Sequence, residues 1–177
     1  MKKVVIILTD GFEEIEAINT IDILRRATID VEVVSLNDKC VTGAHGVTIQ
    51  ADDIFDYYGL TGFDGLVFVG GMNNAVALSQ DQQVIDLINY YYDNKKLVCG
   101  ICATPALVFS KTKILDSNSF TCYPGMSTDG NYVDKAVVVS DNVITSQSPY
   151  TAMVYALTIV KELGYDIDSL QKELRGE

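Results

Sequence analysis

Apolar and polar positions along the chain fall into two alternating patterns. Short unbroken apolar runs between polar or glycine residues read as buried strands. Apolar residues recurring every three or four positions read as helices. Residues 4–8 are the first apolar run. Asp10 precedes Glu13 by three residues, a capping-box-like start for a helix over about 12–27. Residues 31–36, rich in branched side chains, form a second strand, and 37–53 read as an irregular excursion with short extended pieces around Val41 and at 47–49. A third strand at 66–69 ends in Gly70-Gly71, and a helix over about 81–94 puts Val84, Leu87, Ile88 and Tyr91 on one face. Leu97–Ile101 is the fourth strand. After it, Cys102 leads into a helix whose early proline, Pro105, suits a first turn where a missing N–H costs nothing. Short strands follow at 119–122, 136–139 and 143–146, the last two flanking the turn residues Ser140-Asp141-Asn142. Pro149 opens a helix to about Leu163, and 167–174 is a final short one. Strand and helix alternate, which predicts a doubly wound α/β sandwich with a mainly parallel sheet.

Composition narrows this picture. A chain of 177 residues reads as one domain, 1–177, large enough to bury roughly 70% of its unfolded surface. The net charge of −11 argues against a nucleic-acid partner, which requires a basic face. Lys2-Lys3 before a short apolar run resembles a signal peptide, but the run is only five residues, ends before Asp10 and lacks a cleavage site. With no window approaching a membrane span, the expectation is a cytoplasmic protein whose thiols stay reduced.

The candidate chemistry lies at strand ends. Parallel sheets carry their sites at the carboxyl edge, where strand order reverses. Glu16 follows the first strand, Gly70-Gly71 the third and Cys102 the fourth. If those strands are neighbours, a carboxyl, a glycine corner and a thiol share one small edge. Cys102 then sits on a nucleophile elbow, with sulfur in the place of the serine oxygen. The N–H groups of Gly71 and Ala103 are the natural oxyanion donors. A carboxylate beside a thiolate repels it, whereas a carboxylic acid donates to it. The expectation is one proton shared between Glu16 and Cys102, with a depressed thiol pKa and a raised carboxyl pKa.

Other features read as structural. Cys40, Cys99 and Cys122 read as small hydrophobes. Cys99-Gly100-Ile101-Cys102 has a redox-motif spacing, but Cys99 lies inside a strand, roughly 10 Å from Cys102 and facing the other way. A single histidine, His45, and no C-x-x-C pair outside that strand leave no structural zinc site, so no metal is expected.

Four segments follow one another in order: Asp10-Gly11-Phe12-Glu13-Glu14-Ile15-Glu16-Ala17, then Asp22-Ile23-Leu24-Arg25-Arg26-Ala27, then Gly70-Gly71, then Gly100-Ile101-Cys102-Ala103. Together they resemble the ThiJ/PfpI superfamily, and within it the clade of the parkinsonism-linked protein. The likeness runs from residue 3 to about 163. The resemblance implies a flavodoxin-like three-layer α/β/α sandwich, a homodimer, no cofactor, and an easily oxidised Cys102 hydrogen-bonded to Glu16. It also implies a backbone-amide site at Gly71 and Ala103. Activities in such proteins include conversion of glyoxals to hydroxy acids, deglycation of proteins, redox sensing and chaperone-like protection, with protease and thiazole biosynthesis as older labels. The expected partner is a small aldehyde or a glycated protein; the alternative is a stress sensor that works by Cys102 oxidation.

Two departures from the family pattern matter. The protease branch has histidine directly after the nucleophile, where this chain has Ala103. The nearer clade often has a histidine before a downstream proline, where this chain has Tyr123 before Pro124. Tyrosine, with an ordinary pKa near 10, is a poor base at neutral pH. His45 lies in the segment that reaches the partner's site in similar dimers, and is the candidate for an imidazole supplied across the interface.

Overall fold

The computed structural model describes residues 1–127 and 130–177. Its first half supplies β1 (Lys3–Leu8), α1 (Glu14–Arg26), β2 (Asp30–Ser35), the short pair β3 (Cys40–Thr42) and β4 (Thr48–Gln50), and β5 (Asp53–Ile54). Then come β6 (Gly65–Phe68), α2 (Met72–Gln80), α3 (Gln82–Asp93), β7 (Leu97–Ile101), α4 (Ala103–Leu107) and α5 (Ile114–Ser117). The chain closes with β8 (Val137–Ser140), β9 (Val143–Ser146), α6 (Ala152–Glu162) and α7 (Asp168–Arg175).

Seven strands form one sheet in the order β5-β2-β1-β6-β7-β9-β8. All its pairings are parallel except β8 against β9. The order β2-β1-β6-β7-β9 is that of a flavodoxin-like sheet, and its direction of winding reverses between β1 and β6. Strands covered on both faces must be apolar throughout, and β1 and β6 are: every residue from Val4 to Leu8 and from Leu66 to Phe68 is fully buried. Helix α1 packs on α6, and α2 packs on α3 and α4. The two faces show in β7, where Gly100 faces the Phe109 ring and the alternate residue Cys99 neighbours Tyr155 of α6.

Several local expectations change. The strand expected at 119–122 is a single bridge, Phe120 to Tyr132, because the backbone there bonds to side chains and loops. Asp10 does not cap α1. Its Oδ1 accepts the Thr42 N–H at 2.8 Å and so ties the β3–β4 hairpin to the β1–α1 loop, and α1 starts two residues later than expected. Helix α2 was not foreseen: Met72–Gln80 has a weak apolar face and follows a glycine pair that reads as a turn. Cys40, expected inside, is exposed; Cys99 and Cys122 are buried.

Candidate active site

Three adjacent strands, β1, β6 and β7, deliver the site residues to one edge of the sheet. Cys102 directly follows β7. Its backbone takes φ 65 and ψ −115, a conformation that a side chain rarely adopts and that stores about 1–3 kcal/mol. Two hydrogen bonds hold it there. The Cys102 N–H donates to Ser146 O at 2.9 Å, and Cys102 O accepts the Tyr123 N–H at 2.8 Å. The bend turns Sγ away from the strand while leaving Cys102 only 8% exposed.

Glu16 lies in the first turn of α1 and is fully buried. Its Oε2 accepts the Gly70 N–H at 2.6 Å, and Oε1 has no aligned partner among the described residues. The carboxyl and the Cys102 thiol are hydrogen-bonding neighbours. Gly70 is what lets them meet: a Cβ on it would stand 2.5 Å from Cys102 Cβ, 2.7 Å from Glu16 Oε2 and 3.0 Å from Cys102 Sγ.

Gly71 has φ 89, and a Cβ there would lie 2.1 Å from Gly11 O, so no other residue fits this corner. The Gly71 and Ala103 N–H groups both face the Cys102 sulfur and favour its anionic form. They come from the starts of α2 and α4, so the sulfur sits between two backbone donors supplied by different strand ends.

Electrostatics set the protonation of the pair. Burial raises the Glu16 carboxyl to about 8, against the pull of the Gly70 N–H and the thiol. The thiol is raised as well, first by burial, then by the Glu16 charge and the hydrogen bond to Glu16, while the Gly71 and Ala103 amides lower it. The depressed thiol expected from sequence is therefore corrected. Amide donors alone do not outweigh burial when Glu16 is ionised. Burial raises both groups, and the singly protonated pair, in which the one remaining proton is shared, forms as pH rises toward the Glu16 value of about 8.

The accessory candidates lie apart. Tyr123 is joined to Cys102 through its backbone, but its side chain is about half exposed and makes no hydrogen bond among the described residues. His45 is engaged with Glu14: its N–H donates to Oε1 at 2.5 Å and its Nδ1 lies 2.9 Å from Oε2. Burial alone would raise Glu14, but these bonds and the Val47 N–H bring it to about 2, and the same contact raises His45. Within one chain, His45 belongs to this second cluster and not to the Cys102 pair.

Sequence reasoning missed the residues that hold the corner. Asn74 is fully buried; its Oδ1 accepts the Thr9 N–H at 2.8 Å, and its Nδ2 donates to Val69 O at 2.9 Å and Gly70 O at 3.0 Å. It ties the end of β1 to the end of β6. Thr104 Oγ1 donates to Val69 O at 2.8 Å and ties β6 to α4. The signal for Asn74 was its position four residues after Gly70, which only helix α2 makes meaningful.

An elbow thiol beside a buried carboxyl and two amide donors, on a doubly wound parallel sheet, defines a cysteine-centred α/β protein. The chain belongs to the DJ-1/PfpI family, whose pattern matches residues 2–162. It is 36% identical to protein dj-1beta of Drosophila melanogaster over 92% of this chain and 89% of that one. The crystal structure of that fly protein superposes with a TM-score of 0.87 at 34% identity, covering 99% of this chain and 96% of the other. A Pyrococcus abyssi protein named a deglycase is 28% identical over 91% of this chain and 99% of its own. Two DJ-1 homologues of Arabidopsis thaliana match at 32% identity, and there the chain spans only 37% and 42% of their length. Among the described residues, no helix is long and apolar enough to cross a membrane.

Proposed function

We propose that this protein is a cofactor-free enzyme that uses Cys102 and Glu16 to convert reactive 2-oxoaldehydes, free or as protein adducts, into 2-hydroxy acids. The observation that carries this reading is the buried Glu16 carboxyl, pinned through one oxygen by Gly70 and free at the other beside Cys102. A group held in this way, with a pKa near working pH, is suited to moving a proton. The relative named a deglycase is in keeping with this reading.

In this reading the singly protonated pair reacts: Cys102 sulfur adds to the aldehyde carbon, and the thiol proton passes through the Glu16 carboxylate to the carbonyl oxygen, leaving Glu16 ionised. The Gly71 and Ala103 amides hold the charge that develops on that oxygen. Glu16 then takes the proton from the former aldehyde carbon and returns it at the neighbouring ketone carbon, through an enediol. The product is a 2-hydroxy thioester, and water hydrolyses it to the acid and the free thiol. The aldehyde carbon is oxidised and the ketone carbon reduced within one molecule, so no external redox partner is required.

The test is lactate formation from methylglyoxal. Saturable turnover that is lost in Cys102→Ser and in Glu16→Gln is the expected result; wild-type rates equal to buffer would sink the proposal. A second reading draws on the same amides, which would also hold the oxygens of an oxidised sulfur. In that reading peroxide oxidises Cys102 to the sulfinic acid as a stress signal. Mass spectrometry after mild peroxide would then show two added oxygens on Cys102 before any other cysteine.

A further inference from the structure

Three backbone amides serve the site, and each belongs to a peptide whose carbonyl is the preceding residue's. A hydrogen bond accepted by that carbonyl polarises the peptide and makes its N–H a stronger donor. The Gly70 N–H, which binds Glu16, shares its peptide with Val69 O. The Gly71 N–H, which faces the Cys102 sulfur, shares its peptide with Gly70 O. The Ala103 N–H shares its peptide with Cys102 O, which accepts the Tyr123 N–H at 2.8 Å.

Two of these carbonyls carry two donors each. Val69 O accepts from Thr104 Oγ1 at 2.8 Å and from Asn74 Nδ2 at 2.9 Å. Gly70 O accepts from Asn74 Nδ2 at 3.0 Å and from the Glu13 N–H at 3.1 Å. A carbonyl oxygen has two lone pairs, so both oxygens are filled. Asn74 and Thr104 are fully buried, where water does not screen the polarisation.

Among the described residues, Asn74 alone reaches both carbonyls. Its own amide is polarised from the far side. Its Oδ1 accepts the Thr9 N–H at 2.8 Å, and Leu8 O, in the same peptide as that N–H, accepts the Leu36 N–H at 3.2 Å. A chain of aligned amide dipoles therefore runs from the end of β2, across the end of β1 and through Asn74, to the two amides of the site. At its far end the Gly70 N–H lies 2.6 Å from Glu16 Oε2, short against the usual N–H···O distance of about 2.9–3.0 Å.

We infer that Asn74 is a positioning residue for the reactive pair: by donating to Val69 O and Gly70 O at once, it strengthens the Gly70 N–H on Glu16 and the Gly71 N–H on Cys102, and so favours the anionic form of the pair. Thr104 does the same for the Gly70 N–H alone. This role is distinct from tying β1 to β6, which would need no second donor on either carbonyl. It rests on the reading of Cys102 and Glu16 as the reactive pair, whatever the substrate.

The experiment measures the pH profile of Cys102 alkylation by iodoacetamide, read at that residue by mass spectrometry, together with the NMR amide-proton shifts of Gly70 and Gly71. The proteins are the wild type, Asn74→Ala, Thr104→Val and Thr104→Ser. The titratable groups facing the pair are Glu13 before α1, Tyr155 of α6 and the two partners themselves, and none of these substitutions alters them. Polarisation strengthens a bond by about 10–30%, and Asn74 acts on two, so the Asn74→Ala midpoint should rise by about half a pH unit. Both glycine amide protons should move upfield. Thr104→Val should move the Gly70 amide and leave that of Gly71, with a smaller rise in midpoint, and Thr104→Ser should restore the wild-type profile. Wild-type midpoints in Asn74→Ala and Thr104→Val, or Gly70 and Gly71 moving together in Thr104→Val, would each overturn the inference. The Thr104 pair keeps nearly the same shape and decides the matter even where Asn74→Ala does not fold. No turnover enters these readouts, so absence of lactate formation would sink the enzymatic reading and leave this one standing.

Discussion

Glu16→Gln isolates the cost of keeping a carboxyl inside this site. The folded carboxyl titrates near about 8 against an ordinary value of 4.5, and burial is the main cause. Between those values the unfolded chain has released the proton and the folded chain retains it. The folded state therefore binds more protons, and stability falls as pH rises, by about 1.4 kcal/mol per pH unit. The loss is about 3 kcal/mol at pH 7 and about 5 kcal/mol once pH passes the folded value. Glutamine is nearly isosteric, keeps an acceptor for the Gly70 N–H and does not titrate. Its stability relative to the wild type should thus climb from pH 5 to 8 and then level off. For a chain of this size, 3 kcal/mol corresponds to roughly 6–12 °C in Tm at pH 7. Urea unfolding of both proteins at half-unit steps from pH 5 to 9 measures this directly. His45 and Glu14 titrate in both proteins and cancel in the difference. A difference that stays constant from pH 5 to 8 would refute the raised carboxyl and the shared-proton site built on it.

Two other substitutions probe how the corner is held. Gly70→Ala drives a methyl to 2.5 Å from Cys102 Cβ and 2.7 Å from Glu16 Oε2. It should cost about 1–3 kcal/mol in urea unfolding and change the pH profile of Cys102 alkylation by forcing the pair apart. Asn74→Ala leaves the Thr9 N–H without its partner and removes one donor from each of the Val69 and Gly70 carbonyls, which keep Thr104 Oγ1 and the Glu13 N–H. It should lower stability by about 3 kcal/mol, and a loss below half a kcal/mol would show that Asn74 does not hold the ends of β1 and β6 together.

Much of the site was legible because its residues sit at chain positions with a local meaning. An apolar run, then Cys102, then an early proline marks a strand, an elbow and a helix whatever surrounds them. Gly70-Gly71 after another apolar run marks a corner. What could not be read was the protonation of the pair. The pull of the Gly71 and Ala103 amides was foreseen, but the depth of burial that outweighs it depends on how α1, α2 and α4 close over the sulfur. The cap expected from Asp10 failed for a similar reason: a carboxylate near a helix start was taken by a hairpin some thirty residues away.

The sequence by itself determined the alternation of strands and helices, the placing of Glu16, Gly71 and Cys102 after three of those strands, and the burial of Cys99 within one. These follow from hydrophobic period and backbone preference, which are local. Only the tertiary structure decided that β1, β6 and β7 are neighbours, that Asn74 and Thr104 tie their ends together, and that His45 lies on Glu14 beside Glu13. Those facts depend on strand order and on hydrogen bonds across many residues of chain. The carboxyl proton belongs with them, because the solvation that sets its pKa is a property of the packed site.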